Sequence, residues 1–402
     1  MADLFWAGDE RAGELMSEAS LLEAMVRVEN AWLAALVETG LAPASSLCDL
    51  TADDVETVAL GAESGGNPVL PLVNLLRSRT GSEWVHRGLT SQDVLDTALV
   101  LMLRDVFDRL LDELRSQVIA ASALAESHAE TPMVGRTLTQ HAVPTTFGAV
   151  AASWLDGLVD AAELVVAVRK DLPVQLGGAV GTLAATTELA VLRELAPSVV
   201  AQAVTMTAEA LGLRPRRPWH TSRAPLTGAA DALVTCTDAW GHVATDVATL
   251  SRTEIGELTE ATGGGSSTMP HKQNPVLAIL VRRAALAAPA LGSTMHLASA
   301  MTGDQRPDGA WHTEWATLHT LGRRTVVAAS QTTELLQGLQ VNAARMRTTL
   351  EASAADVLAE RRGVADLLGA KHDPDPTTYL GITSELVAGA VARARTFLED
   401  NA

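Results

Sequence analysis

Residues 263–275 read GGGSSTMPHKQNP, and this one segment combines backbone freedom, hydroxyl groups, a cation and an amide. Three consecutive glycines reach positive φ values freely, so the segment can rearrange around a ligand. Pro270 and Pro275 prevent a helix from running through it. Lys272, His271 and the neighbouring hydroxyl and amide groups are donors suited to carboxylate oxygens. A Gly/Ser linker would seldom carry the second half of the segment, so the pattern predicts an active-site loop for an anionic substrate.

On both sides of this loop the sequence favours helices. Alanine, leucine, glutamate and arginine dominate, and alternating β-branched residues are scarce. Several apolar periodic stretches exceed the usual helix length, which predicts an all-α bundle of long helices. The predicted helices cover residues 92–127, 145–170, 184–212, 226–260, 275–301 and 310–340. Pro/Gly clusters between them predict loops at 132–144, 172–182, 213–225 and 302–309.

The composition excludes several classes of protein. A chain of 402 residues with 47% hydrophobic and 19% charged residues is typical of a compact globular enzyme or binding protein. Its formal charge of −18 argues against nucleic acids and acidic membranes as partners. The chain carries no Walker loop, dinucleotide fingerprint or metal-ligand motif, so neither a metal nor a cofactor is expected.

Cysteine usage and hydropathy indicate a cytoplasmic protein. Cys48 and Cys236 form no disulfide framework, and we expect buried thiols in a reducing compartment. The N-terminus lacks the pattern of a signal peptide. The uncharged stretch 284–303 contains Pro289 and Gly292, which favours a buried helix over a membrane span.

The loop at 263–275 resembles the signature of the fumarase/aspartase superfamily, Gly-Ser-Ser-x-Met-Pro-x-Lys-x-Asn-Pro, at every fixed position. The resemblance extends over nearly the whole chain. It implies an elongated all-α lyase with an N-terminal helical domain at 1–90, a central bundle at 91–340 and a short C-terminal helical domain at 341–402. Four central bundles would pack into a twenty-helix core in a homotetramer, with sites shared between protomers.

The same resemblance assigns chemistry to the loop. It implies that Ser266 is the base that takes a proton from the carbon beside a substrate carboxylate. Lys272 and Asn274 would hold that carboxylate. The implied substrate is a small di- or tricarboxylate, and the intermediate is a carbanion stabilised as its aci-carboxylate.

A second candidate segment precedes the first long helix. Thr90 and Asp93 have the spacing of a helix-capping pair, which is the interpretation we prefer for Asp93. Gly88 and the free N–H groups of the first helical turn also favour an anion there. In the superfamily the matching Thr-Ser-x-Asp element binds a substrate carboxylate. The predicted substrate-binding residues of this segment are His86, Arg87, Thr90 and Ser91.

A third segment, residues 135–148, carries Gln140 and His141. A single histidine among alanines is more often structural than catalytic. The resemblance makes His141 a catalytic candidate and Gln140 a substrate ligand. Adenylosuccinate lyases have an acid histidine where this chain has Leu138, and the departure resembles 3-carboxy-cis,cis-muconate cycloisomerases instead. A Leu138→Ala change is expected chiefly to disturb packing.

Two further segments resemble the cycloisomerases. Residues 218–223 match a Pro-Trp-His-x-x-Arg pattern, which makes His220 and Arg223 substrate-binding candidates. The usual aspartate after the arginine is Ala224 here, which leaves the orientation of Arg223 open. Residues 302–315 supply Arg306, a candidate for bidentate carboxylate binding, and two tryptophans interpreted as core packing.

These segments lead to a hypothesis with alternatives. The resemblance favours a cycloisomerase of aromatic-compound breakdown that interconverts 3-carboxy-cis,cis-muconate and 4-carboxymuconolactone by proton transfer α to a carboxylate. A carboxylate leaving group needs little protonation, so Leu138 is tolerable in that reaction. The alternatives are β-elimination from a substituted succinate, by a nitrosuccinate lyase or an adenylosuccinate lyase, and a catalytically silent homologue.

Overall fold

The computed structural model describes residues 3–45, 50–261, 263–265, 268–269 and 272–401 of the chain. Helices make up most of this part. In chain order they are α1 (Glu18–Glu38), α2 (Val55–Gly65), α3 (Val69–Thr80), α4 (Ser91–Ser127), α5 (Phe147–Lys170), α6 (Ala184–Leu192), α7 (Ser198–Leu211), α8 (Ala224–Leu250), α9 (Val276–Ala300), α10 (Gly309–Gln337), α11 (Ala343–Ala352), α12 (Ala354–Val357), α13 (Ala359–Leu367) and α14 (Thr383–Asp400). The strands are β1 (Pro132–Thr137), β2 (Gln140–Thr146), β3 (Leu258–Glu260) and β4 (Leu339–Val341).

Long helices dominate the molecule. Helices α4, α5, α8, α9 and α10 contain between 24 and 37 residues each. In α4 the side chains of Leu103, Leu110 and Leu114 recur at helical spacing and are fully buried. The predicted all-α class is therefore confirmed, and each of these five helices begins within two residues of its predicted start.

Two predicted helices have different ends. The stretch predicted as one helix at 184–212 forms α6 and α7, because Pro197 lies between them and its ring cannot continue a helix. The helix predicted at 226–260 ends at Leu250. Gly256 then turns the chain at a φ of 64°, and β3 pairs antiparallel with β4.

The loop predicted at 132–144 is instead a two-stranded antiparallel hairpin. Strand β1 pairs with β2 from Pro132 opposite Thr146 to Thr137 opposite Gln140. Leu138 and Thr139 make the two-residue turn, with φ values of 48° and 70°. Positive φ at both positions matches the twist of a hairpin, although neither residue type favours it.

The chain separates into two compact units. Unit 1 comprises the described residues of Met1–Arg109, Val165–Leu233 and Ala288–Val326. Unit 2 comprises those of Leu110–Leu164, Val234–Ala287 and Val327–Ala402. In unit 1, α1 packs on α7. In unit 2 a hydrophobic cluster forms around β1 from Val134, Leu350, Val357 and Leu358, with Tyr379 against it. The three-region division at residues 90 and 340 stays a prediction.

Helix α9 carries an apolar face that this chain does not cover. Ile279, Leu286 and Leu297 share one side of the helix and are 50%, 80% and 65% exposed. The expectation of a helix here is confirmed, but only a third of its most apolar window is buried within the chain. By length and composition α9 could cross a membrane, which for a single helix is weak evidence.

The prediction of buried thiols can be compared with the structure at Cys236. Cys236 lies on α8 and is fully buried, as expected. Burial raises the pKa of its thiol to about 12. Cys48 lies outside the described residues.

Candidate functional site

A buried aspartate, Asp93 near the start of α4, organises the polar centre of unit 1. Its carboxylate accepts five hydrogen bonds of 2.8–3.1 Å, from the backbone N–H groups of Thr90, Gly177 and Gly178 and from the side chains of Gln175 and His220. The bond from Thr90 is the predicted capping contact. The other four reach residues far along the chain, so Asp93 does more than cap a helix.

This carboxylate fixes His220, which is 4% exposed. The ring Nε2 lies 2.9 Å from Oδ1 of Asp93. An ionised carboxylate only accepts, so Nε2 carries a hydrogen, and Nδ1 has no hydrogen-bond partner among the described residues. Gly177 makes room for the ring, because a Cβ there would lie 2.8 Å from Cε1 of His220.

A fully buried ion-pair triad lies beside this centre. The Arg223 guanidinium donates to Asp96 at 2.6 Å and to Glu314 at 2.5 Å, and Trp311 Nε1 donates to Asp96 at 2.8 Å. Burial opposes the charge of Arg223, but the two carboxylates outweigh it and raise the pKa of the guanidinium. Burial also raises the pKa of Glu314, against the opposing effect of Arg223.

The triad settles the orientation of Arg223 without the aspartate that usually follows it. Asp96 and Glu314 hold the guanidinium from either side, so Ala224 is tolerated. Because the donors of Arg223 are engaged inside the protein, its geometry favours a supporting role. Its predicted contact with substrate stays a prediction.

The segment before α4 is also held by buried groups of unit 1. His86 has a φ of 63°, and its Nδ1 lies 2.6 Å from Oε1 of Glu29, which is 2% exposed. Such a backbone conformation is strained for a histidine. The carbonyl of Arg87 accepts a hydrogen bond from Trp32 at 2.8 Å. These contacts fix the backbone that leads into Thr90.

Arg306 lies in the loop before α10. Its guanidinium stands 6.0 Å from the ring centroid of Trp311, at the outer limit of a cation–π contact. The ring of Trp311 packs edge-on against that of Trp315 at 4.7 Å. The two tryptophans therefore make the expected packing contact.

Unit 1 contains a cavity of about 660 Å³ next to His220. The loop that follows Arg214 supplies most of its wall, and Gly181 lines it next to His220. The lining residues are Val180, Gly181, Arg216, Arg217, Pro218, Trp219, His220, Thr221, Ser222, Asp304 and Gln305.

In unit 2 the ends of the signature loop are pinned together. Gly264 and Asn274 exchange two backbone hydrogen bonds of 2.9 Å. A Cβ on Gly264 would lie 2.1 Å from the side chain of Val276, so only glycine fits there. Lys272 is exposed on the loop. Ser266, the predicted base, lies outside the described residues.

Glu260 connects this loop stem to α9. Its carboxylate accepts from the backbone N–H groups of Leu277 and Ala278 at 3.1 and 2.8 Å, which caps the helix start. Burial raises the pKa of Glu260, although these hydrogen bonds oppose the shift.

The β1–β2 hairpin holds the other unit-2 candidates. His141 Nδ1 lies 2.7 Å from the Ser353 hydroxyl, and Gln140 is exposed. Arg136 anchors the hairpin through two hydrogen bonds, of 2.8 and 2.9 Å, to the buried Glu257. Leu138 is 96% exposed at the tip. The expectation that Leu138→Ala disturbs packing is wrong within this chain, because the side chain packs on little.

The two units hold different predicted residues. Unit 1 brings Thr90 and His220 onto one carboxylate and sets Arg223 beside it. The predicted site residues in unit 1 are His86, Arg87, Thr90, Ser91, His220, Arg223 and Arg306. Those in unit 2 are Gln140, His141, Lys272 and Asn274. Their roles toward a substrate stay predictions.

Sequence reasoning missed the groups that hold these residues. The motifs predict no site role for Asp96, Glu314 or Gln175, and for Asp93 they predict a capping contact at an anion-binding helix start. One signal for them was present in the sequence, because Gln92, Asp93 and Asp96 are polar residues within an otherwise apolar helix start. In the structure all three are fully buried. Buried polar groups of this kind require partners.

Comparison with known proteins gives the family. The model of the lyase family matches residues 56–288. The chain is 40% identical over 364 residues to a nitrosuccinate lyase from Streptomyces davaonensis, covering 86% of this chain and 76% of that protein. It is 38% identical over 378 residues to a 3-carboxy-cis,cis-muconate cycloisomerase from Pseudomonas aeruginosa, covering 90% and 80%.

A solved structure agrees with the sequence relatives. The 3-carboxy-cis,cis-muconate lactonizing enzyme from Pseudomonas putida superimposes with a TM-score of 0.83 at 31% identity, covering 96% of this chain and 97% of that one. The chain therefore belongs to the fumarase/aspartase superfamily and is an enzyme of that superfamily. It is similar both to 3-carboxy-cis,cis-muconate cycloisomerases and to a nitrosuccinate lyase.

Proposed function

We propose that the protein is a cycloisomerase that interconverts 3-carboxy-cis,cis-muconate and 4-carboxymuconolactone. The observation that supports this best is the agreement of two comparisons, since cycloisomerases resemble the chain both in sequence, at 38% identity, and in structure, at a TM-score of 0.83. Leu138 is consistent with the proposal, because the reaction uses a carboxylate as nucleophile and leaving group and requires no strong acid at that position.

In the proposed reaction one substrate carboxylate adds across a double bond to close the lactone. The neutral hydroxyl of Ser266 gives a proton to the carbon α to another carboxylate, and in reverse its alkoxide removes it. The electron-rich intermediate needs fixed donors and cations around it. We assign this role to Lys272, Asn274 and Arg306, together with the helix start at Thr90 and Ser91.

The remaining predicted residues take supporting places in this proposal. On the hairpin, Gln140 binds substrate and His141 has a catalytic role. In unit 1, His86, Arg87 and His220 bind substrate. Arg223 acts through the segment it anchors, because its guanidinium is saturated by Asp96 and Glu314.

We further propose that the active enzyme is a homotetramer with sites shared between protomers. The observation that supports it is the uncovered apolar face of α9, with Leu286 at 80% and Leu297 at 65% exposure. Exposed apolar faces of this extent are usual at subunit interfaces and costly in water. Packing of α9 against copies of the chain would bury that face in the predicted twenty-helix core.

A second candidate is elimination of nitrite from nitrosuccinate. It is favoured by the 40% identity to a nitrosuccinate lyase. Nitrite leaves without protonation, so Leu138 suits this reaction as well. Adenylosuccinate cleavage is disfavoured because its amine leaving group requires an acid.

Turnover of three substrates distinguishes these candidates. The purified protein is incubated separately with 3-carboxy-cis,cis-muconate, nitrosuccinate and adenylosuccinate while the ultraviolet absorbance is followed. We expect carboxymuconate to be converted with the highest kcat/KM. Conversion of nitrosuccinate with none of carboxymuconate would replace the first candidate by the second.

A further inference from the structure

The cavity of about 660 Å³ beside His220 is bounded by a loop that buried contacts hold in place. Trp219 is buried, and its indole donates to the Val174 carbonyl at 3.0 Å. Its backbone N–H donates to the side chain of Gln175 at 2.6 Å. Arg223 fixes the end of the loop in the ion-pair triad. These contacts fix the position of the loop that carries the residues between Arg214 and Trp219.

Two arginines of this loop line the cavity with unmatched charge. Arg216 and Arg217 are exposed and make no ion pair with an acidic side chain in the described part of the chain. Nearby Arg214, by contrast, pairs with Asp171, and Arg223 pairs with two carboxylates. In a protein of formal charge −18, unmatched adjacent cations mark a place that favours an anion.

A buried imidazole faces the same cavity. His220 is 4% exposed and lines the wall, and Asp93 occupies its Nε2. Its Nδ1 has no hydrogen-bond partner among the described residues and lies 3.7 Å from the Cβ position of Gly181, another lining residue. Glycine at position 181, with a φ of 81°, keeps this side of the ring open.

From these three observations we propose that the cavity is a carboxylate subsite, in which Arg216 and Arg217 donate to one carboxylate of the substrate. His220, with a hydrogen on each ring nitrogen, donates to the same carboxylate from Nδ1 while Asp93 accepts from Nε2. The lining also holds Asp304, so the wall carries two guanidinium groups against one carboxylate. The hydroxyl groups of Thr221 and Ser222 add neutral donors. The inference rests on the proposed function only in taking a carboxylate substrate. It favours a tricarboxylate over a dicarboxylate, since the subsite holds an additional carboxylate.

Binding of inert carboxylates tests the subsite without turnover. Tricarballylate carries three carboxylates and succinate carries two, and the affinity of each is measured by calorimetry. We expect the double variant R216Q/R217Q to bind tricarballylate at least about tenfold more weakly, because charge-assisted hydrogen bonds are lost. H220Q should weaken the same ligand severalfold, and succinate should respond less to either change.

The control is Arg214→Gln, which removes a charge from the same loop outside the cavity and should change affinity less than twofold. Tricarballylate affinity of R216Q/R217Q equal to that of R214Q would overturn the subsite, as would absence of tricarballylate binding to the wild type. Both arginines are exposed, so folding of these variants is expected and is verified by circular dichroism. Arginine-dependent binding without turnover of carboxymuconate would sink the proposed function and leave the subsite standing.

Discussion

Arg223 stabilises the polar centre of unit 1 through two buried ion pairs. Its guanidinium is fully buried between Asp96 and Glu314, and the triad joins α4, α10 and the loop before α8. Removing one member of a buried ion pair leaves charge without a partner in a medium of low polarity. The cost of such a change greatly exceeds that of losing an ion pair in water.

We expect Arg223→Gln to lower the free energy of unfolding by about 3–5 kcal/mol, because two buried carboxylates lose their cation. Urea denaturation at fixed protein concentration measures this. The matched control is Arg214→Gln, whose partner Asp171 is exposed, and it should cost less than about 1 kcal/mol. Equal destabilisation by the two variants would contradict the role of the triad.

The sequence motifs predict His220 and Arg223 as site residues but not the groups that hold them in place. The Thr90–Asp93 pair was predictable because its spacing is local. The other donors to Asp93 come from residues 175–178 and 220, which only the folded chain brings together. Likewise the motif at 218–223 predicts Arg223, but no local spacing predicts that Glu314 is its partner.

Among the elements, Glu260 links the signature loop to α9 and has a pH-dependent effect on stability. Burial raises the pKa of its carboxyl above the ordinary value of 4.5. An acid with a raised pKa in the folded state stabilises that state below the unfolded pKa. This contribution is lost as the pH rises through the folded pKa.

Glu260→Gln removes this titration. We expect the unfolding free energy of the variant minus that of wild type to increase as the pH rises from 4 to 7. The amide is a weaker helix cap than the carboxylate, but this effect is the same at every pH. The difference in unfolding free energy is measured by urea denaturation at several pH values. A difference that is flat or falls with pH would show that the ionised carboxylate is well accommodated.

The long helices were predictable because their apolar residues repeat at helical spacing over many turns. The hairpin was not, since its turn places Leu138 and Thr139 at positive φ, which their side chains disfavour. Pro197 was a visible signal for the division of α6 from α7.

At the scale of the whole molecule, substitutions on the exposed apolar face of α9 test the proposed tetramer. We expect Leu286→Glu with Leu297→Glu to break the assembly into smaller species, because charge replaces apolar contact in the proposed core. Light scattering coupled to size exclusion measures the mass. The matched control is Leu367→Glu with Leu386→Glu, which changes exposed leucines on α13 and α14 and should leave the mass unchanged. A wild-type protein that is monomeric would contradict the proposed assembly.

Proton transfer by Ser266 next to a substrate carboxylate is the central step of the proposed reaction. The most direct measurement is the initial rate of 3-carboxy-cis,cis-muconate conversion by wild type, Ser266→Ala and the neighbouring control Ser267→Ala, each verified to have the same mass. We predict that kcat falls by about 10²–10⁴-fold in Ser266→Ala alone, as expected when a general base or acid is removed. Equal rates for Ser266→Ala and wild type would contradict a proton-transfer role for Ser266.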